Sequence, residues 1–516
     1  MTAMVPVAVA GGGPAGLAAA AELALRGIEC VVLEPRVSVS HRRPRAKTTS
    51  IRTMEHLRRW GVADQLRAAA PLPVAWSQRV TFCQTLAGRR VTDFDGAFGL
   101  TTERDGRFAE SGQQVGQPVF EEVLRGHLRA QPCVSLRLGH EATALSEDDD
   151  GVTLAVCDEA GDHYRLRAAY LIGCDGASGV VRDQIGARYL GRSDSRPNFN
   201  MVFRAPALDT PLGRAVQYWV VGSPVTGLMG RLDLHGIWWA GFPGVEADHG
   251  RTHAPELIAG LVGARVEHDV LATDPWTARM LIADRFASRR VFLAGESAHV
   301  NPPWGGHGFN TSVGDAVNIA WKLAAVLHGW AGPGLLASYD AERRGVVEQT
   351  VASAESNMRS LAGDLPPDAA VIRQAKTPEF HSLGLVLGYS YTGSPAVQPG
   401  VPPPAPADTT RYTPSAQPGA RLPHAWLPDG SSLYDRTGPD FTLLGRRTAA
   451  VRAVARQARL RGIPLTITEP PADYPWREEF LLVRPDQHIA WRATDPRDID
   501  LARAIGAANG NEAASG

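Results

Sequence analysis

The chain opens with apolar runs of two different kinds. Residues 5–10 (VPVAVA) form a short apolar run with β-branched residues, long enough for a buried strand and too short for a helix. Residues 17–26 are rich in Ala and Leu and predict a helix that ends before Gly27, and residues 29–33 predict a second strand. The turn between the first strand and the helix reads Gly11-Gly12-Gly13-Pro14-Ala15-Gly16. The pattern therefore predicts a β-α-β unit with a glycine-rich turn.

This turn has the G-x-G-x-x-G spacing that is typical of dinucleotide binding. Gly11 allows the tight turn, Gly13 lets backbone N–H groups approach a pyrophosphate, and Gly16 lets the helix pack on the strand. The N-terminus of the predicted helix, which follows Ala15, presents its positive end to the phosphates. Glu34 stands where a carboxylate accepts hydrogen bonds from a ribose hydroxyl. The unit fits NAD and FAD equally well.

A second apolar run ends in an acidic turn. Residues 170–174 (YLIGC) predict a short buried strand, and Asp175-Gly176 follows at its carboxyl end. Such turns in open α/β sheets lie beside ligand crevices, which makes Asp175 a candidate cofactor-binding residue. A plain strand-to-helix turn explains the same residues.

A third apolar run, residues 291–294, leads into a glycine-rich loop and a long amphipathic helix. Glu296 follows the strand, where a carboxylate can bond a ribitol or ribose hydroxyl. A glycine nest before a helix N-terminus is a site for negative charge, which in a flavoprotein is the N1–C2=O edge of the reduced ring. NAD needs no such second site, so this loop favours FAD. The candidates for holding the ring are Gly306, Gly308, Phe309 and Asn310.

Bulk properties narrow the class of protein. The 516 residues suffice for roughly three domains. With 53 basic and 54 acidic residues, neither a nucleic-acid nor a membrane partner is indicated. The five cysteines are scattered without a C-x-x-C, so neither a metal site nor a disulfide framework is implied. No apolar run reaches the ~18 residues of a spanning helix, and the N-terminus lacks a signal pattern, so a cytoplasmic enzyme is expected.

Residues 215–244 alternate between apolar and polar positions like antiparallel strands of a second, sheet-based domain. Some of their side chains are candidates for a wall that faces the cofactor and the substrate. An equally good interpretation places the aromatic residues in the hydrophobic core, and Arg231 binds a substrate oxyanion or is a surface charge. The candidates are Tyr218, Met229, Arg231, Trp238 and Trp239, together with Trp304 from the glycine-rich loop.

Together these stretches resemble the fingerprints of the FAD-dependent aromatic hydroxylases, the single-component (group A) flavoprotein monooxygenases related to p-hydroxybenzoate and phenol hydroxylases. The fingerprints are the GxGxxG, a central DG, and a long GDaaH-x-x-x-P-x-G-G-x-G-x-N motif. Arg45 matches the arginine placed over the flavin side chain, and Gln117 matches a flavin-contacting glutamine. Glu296 departs from the usual Asp, and Gly179 from the usual Ser. The tail resembles the subgroup that acts on bacterial aromatic polyketides.

The resemblance implies an α/β fold in three parts. A discontinuous Rossmann-like FAD-binding domain is expected over 1–75, 105–185 and 285–365, with an interleaved β-sheet substrate domain over 76–104 and 186–284. A helical and linker segment over 366–419 precedes a thioredoxin-like domain over 420–516. Because this tail contains no cysteine, thiol–disulfide chemistry is excluded there. We expect the tail to serve packing or a homodimer contact, and to be dispensable for flavin reduction.

The resemblance also implies a reaction. NADPH or NADH, bound transiently, would reduce non-covalent FAD, and O2 would add at C4a to give a hydroperoxide that hydroxylates a phenolic or polycyclic, polyketide-like ring. Pro303 and Trp304 would restrict the access of water, and His307 would contact the substrate or cap the loop. A Baeyer–Villiger or epoxidising oxygenase would share every motif. A non-catalytic flavin-binding module is the alternative from a different class.

Overall fold

The computed structural model of the protein describes residues 4–41, 47–360, 366–402 and 408–506. Within these residues no helix is both long enough and apolar enough to cross a membrane. The helices are α1 (Pro14–Ala24), α2 (Ile51–Arg59), α3 (Ala63–Ala69), α4 (Gln117–Arg129), α5 (Val181–Gln184), α6 (Ala247–Thr252), α7 (Ala254–Val262), α8 (Gly308–Leu327), α9 (Gly334–Arg359), α10 (Ala369–Phe380), α11 (Leu383–Leu387), α12 (Ala449–Leu460) and α13 (Leu501–Ala504).

The strands form three larger sheets and one two-stranded ladder. They are β1 (Val5–Ala10), β2 (Cys30–Glu34), β3 (Thr48–Thr49), β4 (Val80–Cys83), β5 (Arg90–Phe94), β6 (Gln113–Gln114), β7 (Val134–Leu138), β8 (Glu141–Glu147), β9 (Val152–Cys157), β10 (His163–Gly173), β11 (Tyr189–Arg204), β12 (Gln217–Val220), β13 (Gly227–Arg231), β14 (Ile237–Pro243), β15 (Asp269–Ala283), β16 (Val291–Leu293), β17 (His299–Val300), β18 (Phe441–Leu444), β19 (Leu465–Thr468), β20 (Phe480–Val483) and β21 (Ile489–Ala493).

The first sheet has the order β7-β2-β1-β10-β9-β8, and β16 also pairs with β10. The strands β7, β2, β1, β10 and β16 run parallel, so their carboxyl ends lie at one edge. In the register, Ala10 lies beside both Leu33 and Gly173, and Gly173 lies beside Leu293. The three predicted motifs therefore leave the sheet side by side.

The continuous apolar sequence of β1 and β2 follows from their position, because helices cover both faces of a parallel sheet. Their buried side chains join those of α1, α4 and α8 in one core. The helix α1 begins at Pro14, three positions before the predicted start, because proline is well suited to the first turn of a helix. The predicted strand at 5–10 is confirmed without change.

The second sheet has the order β17-β15-β11-β14-β13-β12-β4-β5. Its neighbouring strands run antiparallel except for the parallel pair β12–β4. One face packs against α6 and α7, and the other faces α10 and the loop at 301–307. All its strands but β17 fall within the ranges expected for the substrate domain.

The third sheet, near the C-terminus, has the order β19-β18-β20-β21. The helix α12 connects the parallel strands β18 and β19, and β20 and β21 form an antiparallel pair. Trp321 and Trp330 pack into its core, so this sheet shares a hydrophobic core with residues of α8 and the turn after it. The segment before it reaches the edge strand β21, where the Gln398 amide donates to the Ala490 carbonyl at 2.9 Å.

Buried charges join this C-terminal region to the rest of the chain. We call the set Arg52, Lys322, Glu342, Arg484 and Asp486 the C-terminal junction. Arg484 donates to both oxygens of Glu342 at 2.8 Å, and Arg52 donates to the Gln487 side chain at 2.6 Å. A cut near residue 400 would strip these partners from buried groups. We therefore expect such a truncation to be destabilised, whereas the dispensability of the tail for flavin reduction stays a prediction.

Candidate functional site

The glycine-rich turn after β1 has the geometry of a phosphate cradle. Gly11 has φ +102°, and a side chain on it would collide with the Cys174 carbonyl. A side chain at Gly16 would collide with the carbonyl of Gly11. Gly13, in contrast, faces open space, since a Cβ there would meet nothing within 4 Å. The turn therefore packs tightly on two sides and leaves room on the third, at the N-terminus of α1 and beside Ala15, for a pyrophosphate.

Glu34 ends β2 directly beside this turn, as predicted for the residue that reads a ribose. Its Oε2 accepts from the Gly12 amide at 2.7 Å, and its Oε1 accepts from the amide and the guanidinium of Arg36 at 2.9 and 2.6 Å. The carboxylate is therefore fixed in place. A carboxylate has about four lone-pair sites, so capacity remains for a ribose hydroxyl.

Asp175 lies at the carboxyl end of β10 and ties two motifs together. Its Oδ1 accepts from the Ser297 hydroxyl at 2.7 Å, and its Oδ2 accepts from the Val181 amide at 2.9 Å. Burial raises the pKa of Asp175 above its ordinary value. A side chain at Gly179 would collide with this carboxylate, so glycine there leaves room for Asp175 in its present position. Ser297, which the sequence reasoning missed, is the partner that anchors Asp175.

Glu296 lies exposed in a one-turn 3-10 helix, Gly295–Ser297, after β16. The Tyr189 hydroxyl donates to its carbonyl. The preceding Gly295 sits where a Cβ would approach Ala15 at 3.1 Å and Ser312 at 3.2 Å. This packing brings the third motif against the first helical turn of α1, so Glu296 follows a turn that lies beside the glycine-rich turn after β1.

Asn310 fastens the glycine-rich loop to its surroundings. Its Nδ2 donates to the carbonyls of Gly306 at 2.7 Å and Thr48 at 3.0 Å. Its Oδ1 accepts from the Ser50 amide and the Thr53 hydroxyl, each at 2.8 Å. These four bonds use the whole hydrogen-bonding capacity of the side chain. Asn310 therefore positions the loop, and only its backbone N–H can face a ligand.

The loop itself leaves the N-terminus of α8 open. Gly305 and Gly306 adopt φ of +92° and +70°, and no side chain caps the helix at His307. The first amides of a helix have no partner within the helix, so an anion can accept from them. A side chain at Gly308 would approach Asn301 Oδ1 at 2.8 Å. The ring of the next residue, Phe309, packs edge-on against Phe120, with 4.8 Å between the ring centroids.

Pro303 and His307, the predicted catalytic residues, occupy different sides of this loop. Pro303 is exposed, and its carbonyl accepts from the Gly306 amide at 3.0 Å, which closes the turn. His307 is buried and lines a cavity of about 40 Å³ together with Arg52, Arg343 and other residues of the helix side. Burial lowers the pKa of His307 to about 4, so the imidazole is neutral at pH 7.

A buried charged group that the sequence reasoning missed supports the loop from behind. Asp315 accepts from His299 Nε2 and from Arg343 Nε, each at 2.7 Å, and also from the Gly295 amide at 3.2 Å. Burial alone would raise the pKa of Asp315, but Arg343 and His299 hold it below its ordinary value. This carboxylate thus connects α8, α9 and the loop before Glu296.

Two further residues were predicted to contact the cofactor. Arg45 falls outside the described residues. Gln117 begins α4, where its side-chain amide donates to Glu121 at 2.8 Å. That bond directs one of its donors along its own helix.

Four of the candidates for the substrate wall, Tyr218, Met229, Arg231 and Trp238, lie on the face of the second sheet that packs against α7. Tyr218 and Met229 pack with α6 and α7, and the Tyr218 hydroxyl donates to the Gly213 carbonyl at 2.5 Å. Arg231 lies over the ring of Trp238 at 4.5 Å and donates to the Leu208 carbonyl. Trp238 belongs to the same core. The alternative interpretation, which placed the aromatic residues in the core, is confirmed for Tyr218 and Trp238. Because side chains alternate between the faces of a strand, their neighbours Trp219 and Trp239 point to the opposite face.

The opposite face carries four tryptophans, which we call the tryptophan face: Trp219, Trp239, Trp276 and Trp304. Trp304 of the loop lies 5.9 Å from Trp219 and 6.2 Å from Trp276, between ring centroids. Trp239 packs against the same cluster. None of the four indole N–H groups has an acceptor among the described residues. Sequence reasoning found Trp239 and Trp304 and missed Trp219 and Trp276.

Lys47 reaches this face from the segment before β3. Its Nζ lies 4.4 Å from the Trp239 ring centroid and donates to the Val216 carbonyl at 2.7 Å. Within the described part of the chain no carboxylate pairs with it. Burial lowers the pKa of Lys47 to about 7. No local sequence pattern distinguishes this lysine.

The chain is similar in sequence to proteins of known activity. Residues 4–354 match a family model described as an FAD binding domain, and residues 415–511 match one described as the C-terminal part of aromatic-ring hydroxylases. The 2,4-dichlorophenol 6-monooxygenase of Delftia acidovorans is 30% identical, with 94% of each chain covered. The tetracenomycin B2 monooxygenase-dioxygenase of Streptomyces olivaceus is 30% identical, with 96% of each covered.

The fold agrees with these matches. The crystal structure of the flavin-dependent monooxygenase PieE, in complex with FAD and substrate, superimposes with a TM-score of 0.88 at 31% identity. The alignment covers 98% of this chain and 100% of that one.

Proposed function

The chain belongs to the family of FAD-dependent aromatic-ring hydroxylases, and from this premise we propose that it hydroxylates a phenolic or polycyclic, polyketide-like aromatic substrate. It is an FAD-dependent monooxygenase. NADPH or NADH serves as the reductant, O2 supplies the oxygen atom, and the product is a phenol with one further hydroxyl group. Homodimerisation stays a prediction.

The observation that carries the substrate class is the tryptophan face. Three indoles of the sheet and Trp304 of the loop form one cluster, directly before the open N-terminus of α8. Flat aromatic side chains favour stacked or edge-on contacts with flat aromatic ligands, each contact contributing about 0.5–1.5 kcal/mol beyond area burial. A polycyclic aromatic ring satisfies such a surface better than an aliphatic one.

The residues of the crevice fit FAD. The open space at Gly13 would accept the pyrophosphate, and Glu34 would accept from a ribose hydroxyl. The first amides of α8, which have no side-chain cap, would stabilise negative charge on the flavin. When bound, FAD supplies the two-electron reduction and the activation of oxygen that closed-shell protein side chains cannot provide. Trp304 and Trp276 exclude water from the side where the substrate lies, which limits wasteful release of hydrogen peroxide.

The test is oxygen consumption by the FAD-loaded protein with NADPH, and separately with NADH. We expect 2,4-dichlorophenol, 1-naphthol or 2-hydroxyanthraquinone to stimulate consumption, and cyclohexanol not to do so. With ¹⁸O2, the expected product carries one labelled oxygen on the ring, whereas a ring-expanded ester or an epoxide would contradict hydroxylation. If none of the aromatic compounds yields a labelled product, the proposed substrate class is wrong.

A further inference from the structure

The tryptophan face has an excess of hydrogen-bond donors. Four indole N–H groups without an acceptor and the amino group of Lys47 belong to one cluster, and the described residues offer the Val216 carbonyl as an acceptor to Lys47. A buried donor without an acceptor is costly, by about 1–3 kcal/mol. The ligand that completes this region must therefore be flat, apolar and rich in acceptor oxygens.

From this arrangement we infer that Lys47 is a substrate-contacting residue, whose amino group binds the phenolic oxygen of the substrate and takes up its proton. The inference rests on the proposed function and adds the acid–base residue for it. In the step, the phenolic O–H bond breaks and an N–H bond forms on Nζ, so a neutral pair becomes an ammonium–phenolate pair. No oxidant or reductant is involved, and the proton returns when the product phenol leaves.

The surroundings of Lys47 suit this role. Because its pKa is about 7, both the amine and the ammonium are present at neutral pH, which is the condition for efficient proton transfer. The nearby helix α10 carries another lysine, Lys376, which lies 4.7 Å over the Trp219 ring. That ammonium is already paired with Glu379 at 2.8 Å, so it is not available to a phenolate. A phenolate is also the more electron-rich ring and accepts an electrophilic oxygen more readily.

The chain offers a matched control on the other face of the same strands. Arg231 lies 4.5 Å over Trp238, as Lys47 lies 4.4 Å over Trp239, and the two tryptophans are neighbours in β14. Both substitutions, Lys47→Met and Arg231→Met, remove one cation and one cation–π contact. They differ in the face from which the cation is removed.

The experiment is binding of 2-hydroxyanthraquinone to the FAD-loaded protein, read from the visible absorption that shifts when its hydroxyl ionises. At a pH where the free probe is protonated, we expect the wild-type protein and Arg231→Met to bind it as the phenolate. We expect Lys47→Met to bind it as the neutral phenol and about tenfold or more weakly, as for the loss of a charge-assisted hydrogen bond. The methyl ether of the probe should bind equally to all three.

A conservative variant separates binding from proton uptake. Lys47→Arg should restore tight binding of the anion but, since a guanidinium does not give up its proton, binding should follow the ionisation of the free probe. An unchanged phenolate spectrum in Lys47→Met overturns the inference, as does a wild-type protein that binds the probe as neutral phenol.

Two further outcomes are decisive. If Lys47→Met changes only the flavin reduction potential, the lysine serves the cofactor and the inference is wrong. If the wild-type protein binds no probe, the inference also fails, and the ¹⁸O2 assay decides separately whether the proposed function stands. Should Lys47→Met lose its FAD, the wild-type spectrum and Lys47→Arg still decide the question.

Discussion

Two surfaces of the FAD-binding region meet other parts of the chain, and they solve the problem of buried polar groups in opposite ways. At the C-terminal junction, Glu342 accepts from Arg484 at 2.8 Å and from Lys322 at 2.7 Å. At the tryptophan face, Lys47 and four indoles lack such partners among the described residues. At the C-terminal junction the carboxylates of Glu342 and Asp486 are paired within the protein, whereas at the tryptophan face the proposed substrate would supply acceptors.

Two buried lysines make the difference concrete. Burial lowers the pKa of both, to about 8 for Lys322 and about 7 for Lys47. Lys322, however, donates to Glu342 and to the Ser338 hydroxyl, each at 2.7 Å, which partly offsets the effect of burial. Burial alone therefore does not identify a reactive lysine. The absence of a carboxylate partner is the more informative observation.

The largest effect on stability is expected from removing a charge at the C-terminal junction. Arg484→Met leaves Glu342 and Asp486 buried without their main cation, so we expect the free energy of unfolding to fall by about 3–5 kcal/mol. Denaturant unfolding of the FAD-loaded protein measures this. The control is Arg497→Met, whose pair with Asp495 is exposed and should not matter. Equal stability of the two variants would show that the junction is not stabilised by its charges.

Low pH is expected to destabilise the C-terminal junction before the tryptophan face. Although burial alone would raise it, Arg484 and Lys322 hold the pKa of Glu342 well below the ordinary value of 4.5. A carboxyl with a lowered folded-state pKa stabilises the fold fully above its unfolded pKa, and this stabilisation declines as the pH falls below about 4.5. Each unit of lowering contributes about 1.4 kcal/mol.

We therefore expect the melting temperature to fall steeply below this pH, and less steeply in Glu342→Gln, which has no such carboxyl to protonate. Parallel pH profiles of the two proteins would contradict the assignment.

What could be predicted from the sequence differs between the two surfaces. The crevice at the ends of β1, β10 and β16 was predictable, because glycine spacing and strand-ending carboxylates are local patterns. The face of the second sheet was not, since alternation shows that residues 218 and 219 point to opposite sides without showing which side is which. Tyr218 and Arg231 were therefore candidates for the substrate wall, whereas in the structure both lie on the face that packs against α7.

Long-range partners were beyond sequence reasoning for a different reason. Glu342 and Arg484 are far apart along the chain, and each is an ordinary charged residue in its own segment. The same holds for Lys47, whose position over Trp239 results from how the segment before β3 meets β14. Only the fold brings these groups into contact.

Substitution of each lysine by methionine should change the free energy of unfolding by a smaller amount, and only Lys322→Met should lower it. Lys322→Met removes hydrogen bonds to Glu342 and Ser338, so we expect a loss of about 1–3 kcal/mol in the free energy of unfolding. Lys47→Met removes a cation that has no carboxylate partner, so stability should stay the same or rise. Unfolding of both variants in one buffer near pH 7 tests the pair. A destabilised Lys47→Met with an unaffected Lys322→Met would reverse the roles assigned here.

The smallest expected effect separates the two faces of the second sheet itself. Trp238 and Trp239 are adjacent in β14, yet Trp238 packs with α6 and α7 whereas Trp239 belongs to the tryptophan face. Trp239→Leu should weaken binding of 2-hydroxyanthraquinone by about 0.5–1.5 kcal/mol, the contribution of one aromatic contact, and leave the unfolding transition nearly unchanged. Trp238→Leu should do the reverse, because it leaves a cavity in a core while the binding face is intact. Probe titration and denaturant unfolding on both variants give four numbers, and only a crossed pattern is compatible with this assignment. If both variants lose affinity equally, the substrate does not lie on the face that Trp304 covers.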